Sequence, residues 1–297
     1  MKLKANGIDI EVEDSGGAHG AERPVVLLIM GLGMQLVAWP PALVQALVDA
    51  GYRVIRHDNR DIGLSQHFDH LGVPNMIWAV LRFKLGLAIQ APYSLQDMAA
   101  DSIGVLDALG VKRAHIVGVS MGGMIAQRVA LAAPARVASL TSIMSSSGAR
   151  GLPAAKPNVM QAMLSRPASN ARQDIVAHYV KLYKAIGSPG FPLSEAEMVE
   201  RILQGVQRNF HPTGTMRQMV AIAADSKRAA ALARIDRPTL VLHGRADPLV
   251  PFPCGEDTAR RIPGAQLVGV EGMGHDLPPG VVERLLAPMV PFLRAHG

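Results

Sequence analysis

A serine at position 120 has the surroundings of a nucleophile. It is the centre of a Gly-x-Ser-x-Gly segment at 118–122, a pattern that alone is a weak signal. An apolar run at 114–119 leads into the segment and a helical pattern follows it, so the serine falls on a tight strand-to-helix turn. Such a turn strains its central residue and lifts the hydroxyl above the sheet. We therefore predict that Ser120 attacks a substrate.

A serine hydroxyl reacts only when a base takes its proton. His275 lies in a glycine-framed loop directly after the last strand-like run, and neutral imidazole suits this task. Asp247 directly follows another strand-like run, so its carboxylate can orient a histidine that leaves the neighbouring strand. Asp276 is the alternative carboxylate, but a side chain adjacent to His275 in sequence points elsewhere. We predict that Ser120, Asp247 and His275 act together.

An acyl-transfer intermediate also needs N–H donors for its oxyanion. The backbone N–H of Met121, directly after the nucleophile, is the first predicted donor. The loop at 30–33 follows the strand-like run 25–29 and should turn at the same sheet edge, which makes the N–H of Leu32 the second. An ordinary glycine turn is the alternative explanation of this loop.

Other chemistries find less support in the sequence. The single cysteine, Cys254, could be a nucleophile, but no glycine-framed turn surrounds it. His, Cys, Asp and Glu form no cluster with metal-ligand spacing, and the glycine turn at 30–33 lacks the third glycine of a dinucleotide fingerprint. We therefore expect neither a metal nor a cofactor.

The elements that must position these residues alternate between strand-like apolar runs and helical patterns. Predicted strands cover the residues 8–12, 25–29, 52–56, 114–119, 140–144, 239–243 and 266–270. Predicted helices cover 42–50 and 95–109, run from 121 to 130, lie near 259 and start at 281. This alternation indicates an α/β fold, with a mostly parallel sheet, helices on both faces and the site at the carboxyl ends of the strands.

Residues 147–230 interrupt the alternation, because they show helical patterns and no convincing strand. We expect a helical cap there, inserted between two parts of the core at 1–146 and 231–297. The cap holds 11 Lys and Arg against 5 Asp and Glu, which accounts for the whole net charge of +6. A solvated surface explains this excess, and attraction of an anionic substrate or membrane surface is the alternative.

The composition indicates a compact globular protein, with 49% hydrophobic and 18% charged residues in 297. One cysteine excludes an internal disulfide framework. The uncharged stretch 25–48 is interrupted by glycines and prolines, so no stable membrane insertion is expected. Basic residues are not interleaved with aromatics, which argues against a nucleic-acid partner. We expect a cytoplasmic protein, and its oligomeric state is left open.

Over nearly its full length the chain resembles the α/β-hydrolase superfamily, and it looks most like bacterial ester hydrolases of the aclacinomycin methylesterase type. The matching pieces are the residues 29–31, 39–40, 56–65, 118–122, 247–248 and 272–275. Many relatives carry His where this chain has Met30; the methylesterase branch resembles the chain there but differs after Gly31. The resemblance implies an eight-stranded, mostly parallel sheet with a helical cap, a metal-free triad and ester cleavage through an acyl-enzyme. The serine at 120 argues against the dehalogenase and epoxide hydrolase branches, which use a carboxylate.

These observations predict a carboxylic ester hydrolase for a small or medium acyl ester. Lactone hydrolysis, cleavage of a carbon–carbon bond and perhydrolysis use the same triad and stay open, as does a ligand-binding receptor with little turnover. We expect an apolar pocket wall that draws on the cap, Trp39 and Trp78. The dense apolar helical pattern within 69–92 belongs either to that wall or to the core.

Overall fold

A computed structural model of the chain describes residues 1–16, 23–225 and 227–297. Eight strands form one sheet in the order β1-β2-β4-β3-β5-β6-β7-β8. Their bounds are Lys2–Ala5 (β1), Ile8–Asp14 (β2), Val25–Ile29 (β3), Arg53–His57 (β4), Ala114–Val119 (β5), Val137–Ile143 (β6), Thr239–Gly244 (β7) and Gln266–Val270 (β8). Strand β2 is antiparallel to both neighbours, and β3 to β8 are parallel. The predicted α/β fold class is confirmed.

Helices connect the strands and cover both faces of the sheet. They are Pro41–Asp49 (α1), Met76–Lys84 (α2), Leu95–Ala108 (α3), Met121–Ala132 (α4), Pro157–Leu164 (α5), Arg172–Ile186 (α6), Glu195–Arg208 (α7), Pro212–Ala224 (α8), Arg228–Ala231 (α9), Phe252–Arg261 (α10) and Pro279–Ala295 (α11). Among the described residues, no helix has both the length and the apolar composition needed to cross a bilayer.

The alternation of side chains along β3 explains the two core layers. Leu27 and Ile29 pack into the cluster that contains α3 and α4 side chains, and Val26 and Leu28 pack into the cluster that contains those of α1 and α11. Successive residues of a strand point to opposite faces, so a continuous aliphatic run is needed when both faces are covered. Each fully buried aliphatic side chain contributes about 2 kcal/mol of transfer free energy.

Strand β6 starts earlier than predicted, at Val137 rather than Leu140. Ala138 and Ser139 carry small or polar side chains, so the apolar run in the sequence looks shorter than the strand, although both residues are buried. The strand ends at Ile143, one residue before the predicted end, because Met144 has a φ of +41° and leaves the extended conformation.

Helices α5 to α9 lie between β6 and β7, and in the part of this segment that the structure describes no residue belongs to the sheet. Several basic side chains of this segment form buried or partly buried ion pairs. Arg217 pairs with Asp61 at 2.7 Å with both side chains fully buried, Arg208 pairs with the buried Asp58, and Arg228 pairs with its neighbour Asp225. The positive charge of the segment is therefore partly structural rather than an open basic face.

Helix α2, which holds most of the apolar pattern within 69–92, does not pack into the core. Ala79 is its one buried residue, and Ile77, Trp78 and Phe83 are exposed to water. The helix therefore lies on the surface and packs against α8. The sequence pattern does not predict this exposed position, because the helix is apolar around most of its circumference and has no distinct polar face.

Candidate active site

Ser120 lies between the last residue of β5 and the first of α4, with φ 55° and ψ −120°. This conformation is strained for a residue with a side chain and is held by tight packing around it. A Cβ on Gly118 would lie 2.1 Å from the carbonyl oxygen of Gly122, and one on Gly122 would lie 2.0 Å from that of Ile29. Glycine is required at both positions because backbone atoms occupy the space of a side chain.

The structure brings the predicted base and nucleophile together. His275 Nε2 lies 3.0 Å from Ser120 Oγ, and His275 Nδ1 lies 2.7 Å from Asp247 Oδ2. With the Nδ1–H donated to the carboxylate, Nε2 is the acceptor that faces the hydroxyl proton. The three side chains thus form the hydrogen-bonded chain that general-base activation of a serine needs.

Asp247 is buried, and both of its carboxylate oxygens have partners. Its Oδ1 accepts hydrogen bonds from the backbone N–H groups of Leu249 and Val250, at 2.9 and 2.8 Å. His243 Nε2 approaches Oδ2 to 3.6 Å but donates to the carbonyl of Val250. Burial lowers the pKa of His243, so this second ring stays neutral. The carboxylate is therefore held in place for His275.

Asp276, the alternative carboxylate, has a different partner. Its Oδ1 accepts hydrogen bonds from the backbone N–H and the hydroxyl of Ser188, in the segment between α6 and α7. Burial raises the pKa of the Asp276 carboxyl, and the Ser188 bonds act in the opposite direction. The structure thus brings Asp247, and not Asp276, to the Nδ1 of His275.

The loop after β3 passes beside Ser120. The N–H of Met34 donates to the carbonyl of Gly31 at 3.2 Å, which forms a tight turn. A Cβ on Gly31 would lie 3.2 Å from Ser120 Cβ, so this backbone passes directly beside the serine. Among the described residues, the N–H groups of Leu32 and Met121 donate to no other group. Both are available as oxyanion donors, and Met121 also begins α4, whose N-terminus favours negative charge.

Residues of the segment between β6 and β7 hold this loop, which carries the predicted oxyanion donor Leu32. Gln218 Oε1 accepts from the N–H of Gly33 at 2.9 Å, and Gln35 Nε2 donates to the carbonyl of Gly205 at 2.7 Å. No sequence motif predicts these contacts, which join residues more than 150 positions apart. The one local signal is the polar pair at 217–218 within an otherwise apolar stretch of α8.

The histidine loop is held from the same segment. The backbone N–H of His275 donates to the carbonyl of Ile186 at 2.8 Å, and that of Gly274 donates to Ser188 Oγ at 2.8 Å. A Cβ on Gly274 would lie 2.4 Å from the carbonyl oxygen of Gly187, so this close approach requires glycine. Both loops that carry predicted site residues are thus hydrogen-bonded to the helical segment.

The two predicted pocket tryptophans have opposite surroundings in the structure. Trp39 is fully buried in the core layer beside α1 and α11, so it has no surface that a substrate could touch. Trp78 is 53% exposed on α2, where Arg82 stacks over its ring at 5.8 Å. Composition alone could not distinguish a pocket aromatic from a core one or a surface one, because all three positions favour tryptophan.

Cys254 is a buried thiol in α10, and burial raises its pKa to about 11. A thiol with this pKa is protonated near neutral pH and is a poor nucleophile. Cys254 therefore does not compete with Ser120 for the role of nucleophile.

His67, Asp69 and His211 come together on the surface, a cluster that the sequence analysis did not anticipate. The two imidazole rings stack at 3.9 Å between centroids with an interplanar angle of 9°. A metal ion lies in the plane of each imidazole that binds it, and two stacked parallel rings share no such point. His211 Nε2 instead contacts Asp69 at 2.8 Å. In this arrangement the cluster is a hydrogen-bonded His211–Asp69 pair beside a ring stack rather than a metal centre.

The family model described as alpha/beta hydrolase fold matches residues 24–278. Rhodomycin D methylesterase of Streptomyces peucetius is 31% identical to the chain, and the alignment covers 97% of this chain and 96% of the relative. A putative carbamate hydrolase of Variovorax paradoxus is 32% identical over 86% of this chain and 87% of its own length.

The solved enol-lactonase from Burkholderia xenovorans superposes with a TM-score of 0.74 at 21% identity, covering 99% of this chain and 100% of that one. This similarity shows a shared fold. The match of the family model, the relatives and the sheet order agree with the resemblance inferred from the sequence motifs. The chain belongs to the alpha/beta hydrolase fold family.

Proposed function

We propose that this chain is a serine-dependent carboxylic ester hydrolase that works through an acyl-enzyme. The observation that carries the proposal is the hydrogen-bonded chain from Ser120 through His275 to Asp247, with distances of 3.0 and 2.7 Å. The similarity to a methylesterase over nearly the whole chain supports the same reaction class.

In the first half of the reaction, Ser120 Oγ attacks the ester carbonyl while His275 Nε2 takes the hydroxyl proton. Asp247 holds the imidazole in the tautomer that leaves Nε2 free, and it stabilises the imidazolium that forms. His275 then donates the proton to the alcohol oxygen as the carbon–oxygen bond breaks. The acyl group stays on Ser120 and the alcohol leaves.

In the second half, water attacks the acyl-enzyme and His275 takes a proton from it. The tetrahedral intermediate collapses, the bond to Ser120 Oγ breaks, and His275 returns the proton to the serine. In both halves the carbonyl oxygen becomes an oxyanion, which the N–H groups of Met121 and Leu32 stabilise. Removal of one such donor typically costs about 3 kcal/mol of transition-state stabilisation.

The helical segment 147–230 acts in this proposal as the cap that selects a small or medium acyl ester. Its support is a pair of hydrogen bonds that the two loops beside Ser120 donate to this segment, from the Gly33 N–H to Gln218 Oε1 and from the His275 N–H to the carbonyl of Ile186. The bounds of this cap and the cytoplasmic location stay predictions. The ester itself also stays a prediction, because a putative carbamate hydrolase and an enol-lactonase are similar to this chain as well.

The proposal is tested with p-nitrophenyl esters from acetate to laurate, using the wild type and Ser120→Ala in parallel. Ser165→Ala, which removes an exposed hydroxyl from the helical segment, is the matched control. We expect Ser120→Ala to lose turnover and labelling by a fluorophosphonate, and Ser165→Ala to keep both. The optimal acyl length reports the depth of the pocket.

Two other results would redirect the proposal. Labelling of Ser120 without ester turnover would point to lactones, carbamates or carbon–carbon substrates, which the same triad can attack, and a direct comparison of these substrates would separate them. A single acylation for each chain would indicate a receptor. Failure of Ser120 to label would contradict the nucleophile assignment.

A further inference from the structure

None of the elements that the structure describes covers an apolar surface on and around α2. Among the described residues, fourteen large hydrophobic side chains are exposed, and nine of them lie between positions 71 and 87. Ile77 is 85% exposed and Phe83 is 62% exposed. Exposed hydrophobic residues that occur singly are ordinary, but a contiguous group of this size marks an interaction site. We call the exposed residues of 71–87 the α2 surface.

The α2 surface lies near the sheet edge that carries the site. Helix α2 packs against α8, the helix whose Gln218 holds the oxyanion loop. Arg150, in the segment after β6, donates a hydrogen bond to the carbonyl of Gly86 at 3.1 Å and so lies beside the end of α2. Strand β6 is the neighbour of the nucleophile strand, and its carboxyl end faces the same edge.

The α2 surface and the adjoining Arg150 carry positive charge without compensation. Among the described residues, Arg82, Lys84 and Arg150 take part in none of the ion pairs. No Asp or Glu occurs between Asp69 and Asp97, or between Asp107 and Asp174. The partner of the α2 surface must therefore accept apolar side chains and supply negative charge beside them.

A lipid bilayer with anionic headgroups meets both requirements. Aliphatic and aromatic side chains enter the boundary between headgroups and acyl chains, tryptophan favours that depth, and arginine and lysine reach the phosphates. A second copy of the chain docked through the same surface would place its three cations next to those of the first copy, and their repulsion would disfavour such a dimer. A nucleic acid would supply the charge but would leave the apolar side chains in water.

We propose that the α2 surface docks this chain reversibly onto an anionic membrane surface. Ile77, Trp78 and Phe83 enter the interface, and Arg82, Lys84 and Arg150 contact the headgroups. The helix lies on the bilayer and does not cross it. The proposal does not depend on the chemistry of Ser120, so it can fail or succeed separately from the proposed function.

The test is flotation of the full chain with vesicles of phosphatidylcholine alone or with about 30% phosphatidylglycerol, at low and high salt. We expect binding to the anionic vesicles that salt weakens. The double variant Ile77→Ser and Phe83→Ser should lower the partition coefficient by at least roughly tenfold, and Lys84→Gln by a few-fold. Leu267→Ser and Lys112→Gln, which change an exposed leucine and an exposed lysine elsewhere, should bind like the wild type.

Tryptophan fluorescence gives a second measurement on the unmodified protein. Trp78 is exposed and Trp39 is buried, so a blue shift on adding anionic vesicles reports Trp78 entering the interface, and Trp78→Phe should abolish it. Absence of both flotation and a shift would overturn the proposal. Equal binding by the Ile77→Ser and Phe83→Ser variant would also overturn it. Light scattering tests for a dimer. A wild-type dimer that the Ile77→Ser and Phe83→Ser variant dissociates would also overturn the proposal, because a second copy of the chain would then cover the α2 surface.

Discussion

The side-chain oxygen of Gln218 accepts a hydrogen bond from the backbone N–H of Gly33 at 2.9 Å, across 185 positions of sequence. The nitrogen of the same amide donates to the carbonyl of Arg60 at 2.9 Å, and the side chain is fully buried. Gly33 directly follows Leu32, the proposed oxyanion donor. A residue of α8 thus holds the loop that carries this proposed donor.

Replacing Gln218 with Met should lower kcat by about tenfold with little change in KM, because the displaced loop stabilises the transition state rather than the substrate. The unpaired N–H of Gly33 should also lower the free energy of unfolding by about 1–3 kcal/mol. Steady-state kinetics and urea denaturation measure the two effects, with Gln45→Met on the exposed face of α1 as control. Unchanged kcat would show that other contacts hold the loop.

Asp247 contacts His275 in space, and Asp276 follows it in the sequence. Replacing each carboxylate with an amide should have different effects on kcat. In Asp247→Asn the amide donates to His275 Nδ1, which moves the ring proton to Nε2 and removes the base, so kcat should fall roughly a thousandfold or more. Asp276→Asn should keep kcat within roughly tenfold, because Asp276 bonds Ser188 and not the ring. Equal losses in the two variants would contradict the assignment of Asp247.

Alanine substitutions at Gly31 and Gly122, both near Ser120, should have different main effects: the first on activity and the second on stability. A Cβ on Gly31 would lie 3.2 Å from Ser120 Cβ and 3.7 Å from its Oγ, so Gly31→Ala should fold and lose roughly ten- to a hundredfold in kcat/KM. A Cβ on Gly122 would overlap the carbonyl oxygen of Ile29 at 2.0 Å, and Gly122→Ala should lose about 3 kcal/mol or more of stability. Thermal unfolding and ester kinetics on both variants check the contrast; full activity in Gly31→Ala would place the loop farther from the nucleophile.

The buried His57 should make the protein sensitive to acid. Burial lowers the pKa of His57 from 6.5 to about 4, so between these values the unfolded chain binds a proton that the folded chain does not. Stability is therefore complete above about pH 6.5 and falls as the pH drops towards 4, by about 3 kcal/mol from this residue. Urea unfolding across this range should show a smaller pH slope for His57→Gln and the wild-type slope for the exposed His70→Gln. An unchanged slope in His57→Gln would contradict the prediction.

The sequence alone predicted the features that follow from local sterics. The aliphatic run of β3 is typical of a strand covered on both faces, and the glycines around Ser120 are typical of a tight strand-to-helix turn. Asp247 and His275 each follow a strand-like run, which predicted that both lie at the same edge of a parallel sheet. These conclusions needed no knowledge of distant contacts, because the backbone geometry of each element depends on residues within a few positions.

The contacts among distant side chains became visible only in the folded chain. Gln218 and Ser188 bond loops far away in sequence, and no local pattern specifies which buried polar group will pair with which. Trp39 in the core and Trp78 on the surface have the same side chain, so the sequence could not assign either to a pocket. Packing decides where a side chain points and which donor meets which acceptor, because each such pairing depends on every element that surrounds it.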